Sequence, residues 1–347
     1  MRNRVNRLFR SIAASGKDVD CVAIASSIPE PNFMWLAGLS AGLFEESLLI
    51  ASSDGLHAIV PRLELSAVPK GIEVQCFSSM QEKTELAQKL LKNRVIGFDE
   101  KKISHSNYLI LKRCCNKLQG VSDELAYARA VKEPSEVVRI AAAAKLTRNS
   151  ISLALNGLRE NVLESSVATE IAAAFAKRGA SQAFDSICAF GRNSSVPHRR
   201  TASARLKKGQ LVLVDAGAKL SGYCGDITRT RVFGARPSFT QQAMLDTVAD
   251  AQRIAFAAIK PGVRASDVHS AVSNYIDLQG FKGCFVHSTG HALGLEVHDG
   301  LRVSSKSNFA FEKGMVFTVE PGVYLPKIGG VRIEDDIVVT ANGCKLL

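Results

Sequence analysis

The 347-residue chain has a single tryptophan, only 6% aromatic residues and no cysteine pair with CxxC spacing. Apolar stretches such as Ile140–Leu146 and Ile254–Ile259 fall far short of the roughly 20 residues needed to cross a bilayer, which excludes a membrane span of that kind. Eight cysteines, at 21, 76, 114, 115, 188, 224, 284 and 344, form no disulfide-like framework. Scattered thiols with no secretory apolar segment after the amino terminus point to a reducing compartment, and the expected location is cytoplasmic. The formal net charge is +11, yet the chain has no long basic run and no aromatics set among its lysines and arginines as stacking platforms. That pattern argues against nucleic acid as the partner. The opening MRNRVNRLFRSIAASG is rich in arginine and lacks acids, as transit peptides do, but Val5, Leu8, Phe9 and Ile12 recur at helical spacing. An amphipathic first helix is expected there.

A chain of this length with 46% hydrophobic residues exceeds the usual size of one core, so two domains are expected. Residues 1–125 alternate short β-rich runs (DCVAIAS, SLLIASS, LHAIV, IEVQCF, RVIGF) with helical stretches over 8–15, 82–93 and 106–118. This reads as a small α/β domain. Ser53-Asp54-Gly55 between two of the runs is a hairpin signal, so part of that sheet should be mixed. Pro134, within ARAVKEPSEVVRI, sits at the start of a long helical pattern, and a second domain is expected over 126–347.

An internal repeat runs through the second domain. A helix through Leu153 and Leu155 is followed by Gly157 and by a helix over 165–177 closed by Gly179. The pattern recurs as a helix through Ile254 and Phe256, then Gly262, then a helix over 266–278 closed by Gly280. Ser165 and Ser266 are expected as N-caps and the two closing glycines as left-handed C-caps. A run ending in a histidine follows each copy, His198 in the first and His298 in the second. Two related halves facing across one cleft are expected.

Four acids stand where apolar strands should exclude them. Asp215 follows LVLV, Asp226 lies eleven residues on within a second expected strand, YCGDITRTRV, Glu320 ends MVFTV, and Glu334 precedes an apolar run in VRIEDDIVV. A lone buried carboxylate loses several kcal/mol of hydration. Arg229, Arg231 and Arg332 are near enough in sequence to pair with single acids. Between the two pairs of acids, FVHSTGHALGLEVHD offers His287, His291 and His298, with Gly290 and Gly294 permitting close backbone approach. Four carboxylates balance two divalent cations, and oxygen-rich ligation with an imidazole suits manganese, cobalt, iron or zinc. Paired cations about 3.5–4 Å apart share a hydroxide poised to attack a carbonyl. Hydrolysis is the chemistry this constellation points to.

DAGAKLSGYCGDITRT, HSTGHALGLEVHD, TVEPGVY and GGVRIEDD resemble, in order and spacing, the metal motifs of the pita-bread metallopeptidases, the family of methionine aminopeptidase, aminopeptidase P and prolidase. The resemblance covers roughly residues 126–347. It implies an α+β chain with a carboxy-terminal pita-bread fold of pseudo-two-fold symmetry, preceded by a smaller α/β domain of the creatinase/prolidase type. NFMWLAGL resembles that leading domain, with Trp35 where the family often has tyrosine. Two divalent metals would be held by Asp215, Asp226, His291, Glu320 and Glu334, with Asp226 and Glu334 bridging. Glu320 would relay a proton, and His198 and His298 would steady substrate and tetrahedral intermediate. His287 would serve beside the site and Arg332 would support a ligand carboxylate. Arg302 matches the position at which prolidases hold a dipeptide's terminal carboxylate. The activity implied is cleavage of the bond before proline, in Xaa-Pro dipeptides or, as in aminopeptidase P, in longer peptides. The substrate implied is a small peptide with proline second, and the assembly a homodimer. A non-catalytic binding protein on the same fold, associated with histones or nucleic acid, is the alternative of a different class.

Overall fold

Val5, Leu8 and Ile12 share the buried face of the first helix, α1 (Arg2–Ala14), where the buried Arg4 donates from Nη1 to the Trp35 carbonyl at 2.5 Å. The computed structural model describes residues 1–26, 30–40 and 42–347, and the chain divides into two units, Met1–Arg129 and Ala130–Leu347. Among the described residues, no helix is long and apolar enough to cross a membrane.

In the first unit, β1 (Cys21–Ala25) is followed by α2 (Pro31–Ala37), β2 (Leu48–Ser52) and β3 (Gly55–Pro61). The hairpin signal falls where β2 turns into β3, with Ser52 opposite Gly55. Next come β4 (Glu73–Phe77), α3 (Met80–Leu91), β5 (Val95–Phe98), α4 (His105–Cys114), β6 (Lys117–Gly120) and α5 (Ser122–Ala130). The strands form one mixed sheet in the order β4-β3-β2-β1-β5-β6, antiparallel at β1/β2 and β2/β3 and parallel elsewhere. Cys21, Ile50, Ile96 and Leu111 belong to the apolar core on this sheet. The helix expected over 106–118 stops at Cys114. Asn116 and Lys117 donate their N–H groups to the Arg94 carbonyl, and parallel pairing with β5 takes the next residues into β6.

The second unit opens with α6 (Pro134–Asn156), with Pro134 in its first turn and a capping box formed by Glu133 and Glu136. Then come α7 (Glu164–Ala176), β7 (Ser181–Gln182), β8 (Ile187–Phe190), β9 (Leu211–Ala216), β10 (Ala218–Leu220), β11 (Tyr223–Cys224) and β12 (Ile227–Val232). The second half of the unit holds α8 (Phe239–Ala258), α9 (Ala265–Ile276), β13 (Gly290–His291), β14 (Arg302–Val303), β15 (Val316–Val319), β16 (Gly322–Leu325), β17 (Gly329–Arg332), β18 (Asp335–Val339) and β19 (Cys344–Leu346).

The two halves repeat one plan. A helix pair (α6 and α7, then α8 and α9) leads into an antiparallel strand pair, β9/β12 and β15/β18 respectively. A bridge between Thr228 and Glu334 joins the two sheets, and Ala292 bridges to Phe317 on the far side of β15. Gly179 and Gly280 end their helices with φ of 70° and 89°, a conformation that favours glycine. The serine caps do not form. α7 is preceded by Leu163 and α9 by Arg264, neither making a side-chain cap bond, and both serines lie within the first turn. Leu163 bridges to Arg205 and Arg264 to Ala310, so backbone carbonyls opposite already serve the orphan donors: Glu164 and Ser165 donate to Ala204 and Ala202, and Ala265 to Phe309.

Candidate metal centre

Each strand pair places its two acids at the same end. Asp215 occupies the penultimate position of β9, opposite Thr228, and Asp226 immediately precedes β12 rather than lying inside it. Ser221 and Gly222, with φ of 49° and 82°, make the tight turn that returns β10 into β11 between them. Glu320 directly follows β15 and Glu334 directly precedes β18. The Thr228–Glu334 bridge then sets the two ends beside each other. The histidine segment crosses the same end through β13. Gly290 is required there, since a Cβ would overlap the Thr318 carbonyl oxygen.

All ten residues singled out from the sequence line one cleft of about 820 Å3: the four acids, His198, His287, His291, His298, Arg302 and Arg332. Asp226, His291 and Glu334 bring ligand-type atoms within 4.8 Å of one another, and all three are buried. Asp215 and Asp226 each keep one buried oxygen, Oδ1, without a hydrogen-bond partner among the described residues. His291 Nδ1 faces the Ala292 carbonyl at 3.2 Å, which only a donor satisfies. The lone pair of Nε2 therefore points at Asp226 Oδ2, 3.6 Å away, and at Glu320 Oε1, 3.5 Å away. A neutral imidazole aimed at two carboxylates is repulsive unless a proton or a cation lies between them. The donor set, oxygens plus one imidazole nitrogen, fits divalent cations of the borderline transition series.

Electrostatics in the metal-free site point the same way. Burial, reinforced first by Glu334, holds the Asp226 carboxyl well above the usual range. Burial, reinforced by Glu320, does the same for Glu334, and burial lifts Glu320 to about 7. Burial lowers His291 and His287 to about 3, so both rings are neutral. Protons on the acids or cations among them relieve the same crowding of charge.

Around the acids the structure adds residues that the sequence reading passed over. Arg332 Nη2 donates to Asp215 Oδ2 at 2.5 Å, Nε to Thr228 Oγ1 at 3.1 Å and Nη1 to Tyr324 Oη at 2.8 Å. Thr228 Oγ1 in turn donates to Glu334 Oε2 at 2.6 Å. His287 Nδ1 faces the Ser288 carbonyl at 2.9 Å, leaving Nε2 to accept from Tyr324 Oη at 2.8 Å. Thr318 Oγ1 lies 3.4 Å from Glu320 Oε1 and accepts from the His291 N–H at 3.1 Å. A signal for the threonines exists in the sequence: Asp226 with Thr228, and Thr318 with Glu320, are two residues apart, the spacing that puts strand side chains on one face. Tyr324 carries no comparable mark. Of the arginines that could have neutralised single acids, Arg332 pairs with Asp215, Arg229 pairs instead with Asp335 at 2.6 Å, and Arg231 reaches the Leu155 carbonyl.

A duplicated α+β unit that gathers buried carboxylates and a neutral imidazole at one end of its paired sheets defines a metal-dependent enzyme of hydrolytic type. Residues 138–341 match metallopeptidase family M24. The chain is 33% identical over 332 residues to an Xaa-Pro dipeptidase of Pyrococcus horikoshii, covering 95% of this chain and 92% of that protein. Its structure is similar to that of an Xaa-Pro dipeptidase from Bacillus anthracis, with a TM-score of 0.89 at 29% identity over 99% of this chain and 96% of the other. It is also similar to an X-Pro aminopeptidase from Thermotoga maritima, with a TM-score of 0.84 at 27% identity over 97% of each chain. The chain belongs to metallopeptidase family M24, and its second unit has the pita-bread fold.

Proposed function

We propose that the protein hydrolyses the peptide bond that precedes proline, with Xaa-Pro dipeptides as its main substrates. Asp215, Asp226, His291, Glu320 and Glu334 would hold two divalent cations, of manganese, cobalt, iron or zinc. When bound, these supply a water acidic enough to ionise near neutral pH and a Lewis acid for the scissile carbonyl. The observation that carries this reading is the buried trio Asp226, His291 and Glu334, whose ligand atoms lie within 4.8 Å of one another, in a cleft that also holds Asp215.

The remaining work falls to the chain's own groups. An Xaa-Pro bond is a tertiary amide, and its nitrogen leaves as a secondary amine only once protonated. Glu320 takes a proton from the attacking water and delivers it to that nitrogen. His198 and His298, on the cleft wall, steady the substrate and the tetrahedral intermediate. Tyr324 joins His287 to Arg332, and Arg332 fixes the direction of the Asp215 carboxylate. Arg302 receives the terminal carboxylate of a dipeptide, a contact that a longer peptide lacks at that distance from the scissile bond. The homodimer and the cytoplasmic location belong to this same reading.

Similarity to the Thermotoga maritima X-Pro aminopeptidase favours a second reading, action on longer peptides with proline second. Hydrolysis of Met-Pro against that of a longer Xaa-Pro-Xaa peptide, on protein of known metal content before and after chelation, separates the two. Activity on neither peptide in metal-loaded protein sinks both. Arg302→Met should raise KM for Xaa-Pro dipeptides about tenfold, the loss of roughly one charge-assisted hydrogen bond, and leave longer peptides unchanged. Equal effects on both peptides refute the role given to Arg302.

A further inference from the structure

The segment from 292 to 301, between β13 and β14, carries His298 and begins and ends beside His291 and Arg302, which face each other across the strand pair. It is irregular along its length. Its neighbouring side chains divide: His298 is exposed in the cleft while Asp299, next in the chain, is turned inward and buried. Asp299 Oδ2 accepts from Lys132 Nζ at 2.8 Å, and both side chains are only 2% exposed. Lys132 is held in place by its own backbone, whose N–H donates to the Gly314 carbonyl, while Val131 bridges to Met315 ahead of β15. The pair sits so close beneath the segment that a Cβ on Gly294 would lie 2.6 Å from Asp299 Oδ2 and 2.9 Å from Lys132 Cε. A buried ion pair is a poor device for stability, because apolar residues of the same volume usually do as well or better. What it supplies is a fixed direction.

Resting on the hydrolase reading above, we propose that Lys132 is a positioning residue: through Asp299 it pins the segment that presents His298 and Arg302 to the substrate. The pinning is mechanical, with Lys132 itself outside the cleft lining. Two backbone bonds report on it, Asp299 N–H to the Ala292 carbonyl and Ala292 N–H to the Leu301 carbonyl, each 2.8 Å.

The test is the apolar pair K132M/D299L, examined beside each single variant. Each single variant leaves a buried charge without its ion-pair partner and should be destabilised, whereas the double variant should recover a thermal midpoint near that of the parent. If the pair positions the segment, amide exchange over 292–301 is faster in the double variant than in the parent. In addition, kcat on an Xaa-Pro dipeptide stays down by about 100-fold, the scale of a misplacement near 1 Å. A purely structural role predicts that activity returns together with stability, and that result, or unchanged exchange over 292–301, overturns the proposal. Should the double variant fail to fold, D299N keeps the shape of the side chain and weakens the pair, and the same two readouts apply with smaller changes. A parent that fails to cleave Xaa-Pro peptides when metal-loaded sinks the substrate reading alone, and exchange in the segment then decides whether Lys132 pins it.

Discussion

The two halves of the second unit share a plan but not a chemistry. In the first half the acids are aspartates, and each keeps a buried oxygen with no partner among the described residues. In the second half they are glutamates, and both carboxylates lie beside a threonine hydroxyl, Thr228 for Glu334 and Thr318 for Glu320. The arginine that steadies Asp215 comes from β17, in the second half, and the threonine that steadies Glu334 comes from β12, in the first. The imidazole among the acids, His291, also belongs to the second half. Duplication places four carboxylates, and exchange of side-chain support across the pseudo-two-fold decides how each is held. On the reading proposed above, the Oδ1 atom that each aspartate leaves without a partner among the described residues is the one offered to a cation.

Removing one acid from each half is the strongest way to break the comparison. Asp226→Asn and Glu334→Gln should each lower kcat/KM on an Xaa-Pro dipeptide by about 10^3-fold, since metal activation accounts for several kcal/mol of the barrier, and metal content measured after gel filtration should fall with it. In chelated protein the sign reverses, because each change replaces a carboxyl that burial and the neighbouring carboxylates force to take up a proton on folding, and the thermal midpoint should rise. A variant that keeps both its metal and its activity would show that its half contributes no ligand at that position.

Arg332 is the main tie between the halves, and its loss should rank next. Arg332→Lys keeps the charge but cannot reach Asp215, Thr228 and Tyr324 together, as the guanidinium does. Activity or metal affinity should drop about 10- to 100-fold, the usual scale for partners that orient a metal ligand. A change below threefold would mean that Asp215 is oriented without it.

The acids were legible in the sequence because charge in an apolar strand breaks a rule with a high energetic cost. Asp215 after LVLV and Glu320 after MVFTV stand out without any knowledge of the fold. Thr228, Thr318 and Tyr324 did not, because hydroxyls are common in strands and only the spacing of two from an acid marks the threonines. The serine caps at Ser165 and Ser266 failed for a tertiary reason: backbone carbonyls from a distant segment had already taken the first-turn donors. The helix drawn through 115–118 failed similarly, since parallel pairing with β5 outweighed local preference. Local patterns therefore revealed what was costly and missed what the fold supplied from afar.

The metal-free protein offers a comparison with pH. Asp226, Glu334 and Glu320 have raised folded pKa values, Glu320 at about 7. The folded chain then holds protons that the unfolded chain, with carboxyls near 4, has already released. The stability these protons confer is fully present below the unfolded values and is lost as pH rises through the folded ones. Chelated protein should melt at a progressively lower temperature from about pH 7 to pH 8, above the range near 6.5 in which the buried neutral His287 and His291 pull the slope the other way, and metal should abolish most of that slope. A flat profile in chelated protein would indicate that the acids relax apart when the cations leave.

The smallest effect separates the two threonines. Thr228→Val removes the 2.6 Å bond to Glu334 and the acceptor for Arg332 Nε, while Thr318→Val removes a 3.4 Å contact to Glu320 and an acceptor for the His291 N–H. A hydrogen bond to a charged group contributes about 1.5 kcal/mol or more, or roughly tenfold in metal affinity, and the shorter, better-connected bond at Thr228 should carry the larger share. Titration of chelated protein with manganese should therefore show a greater loss of affinity for Thr228→Val than for Thr318→Val. The reverse order would locate the firmer half of the site on the glutamate side of β15, and the support exchanged between halves would then matter less than the support within each.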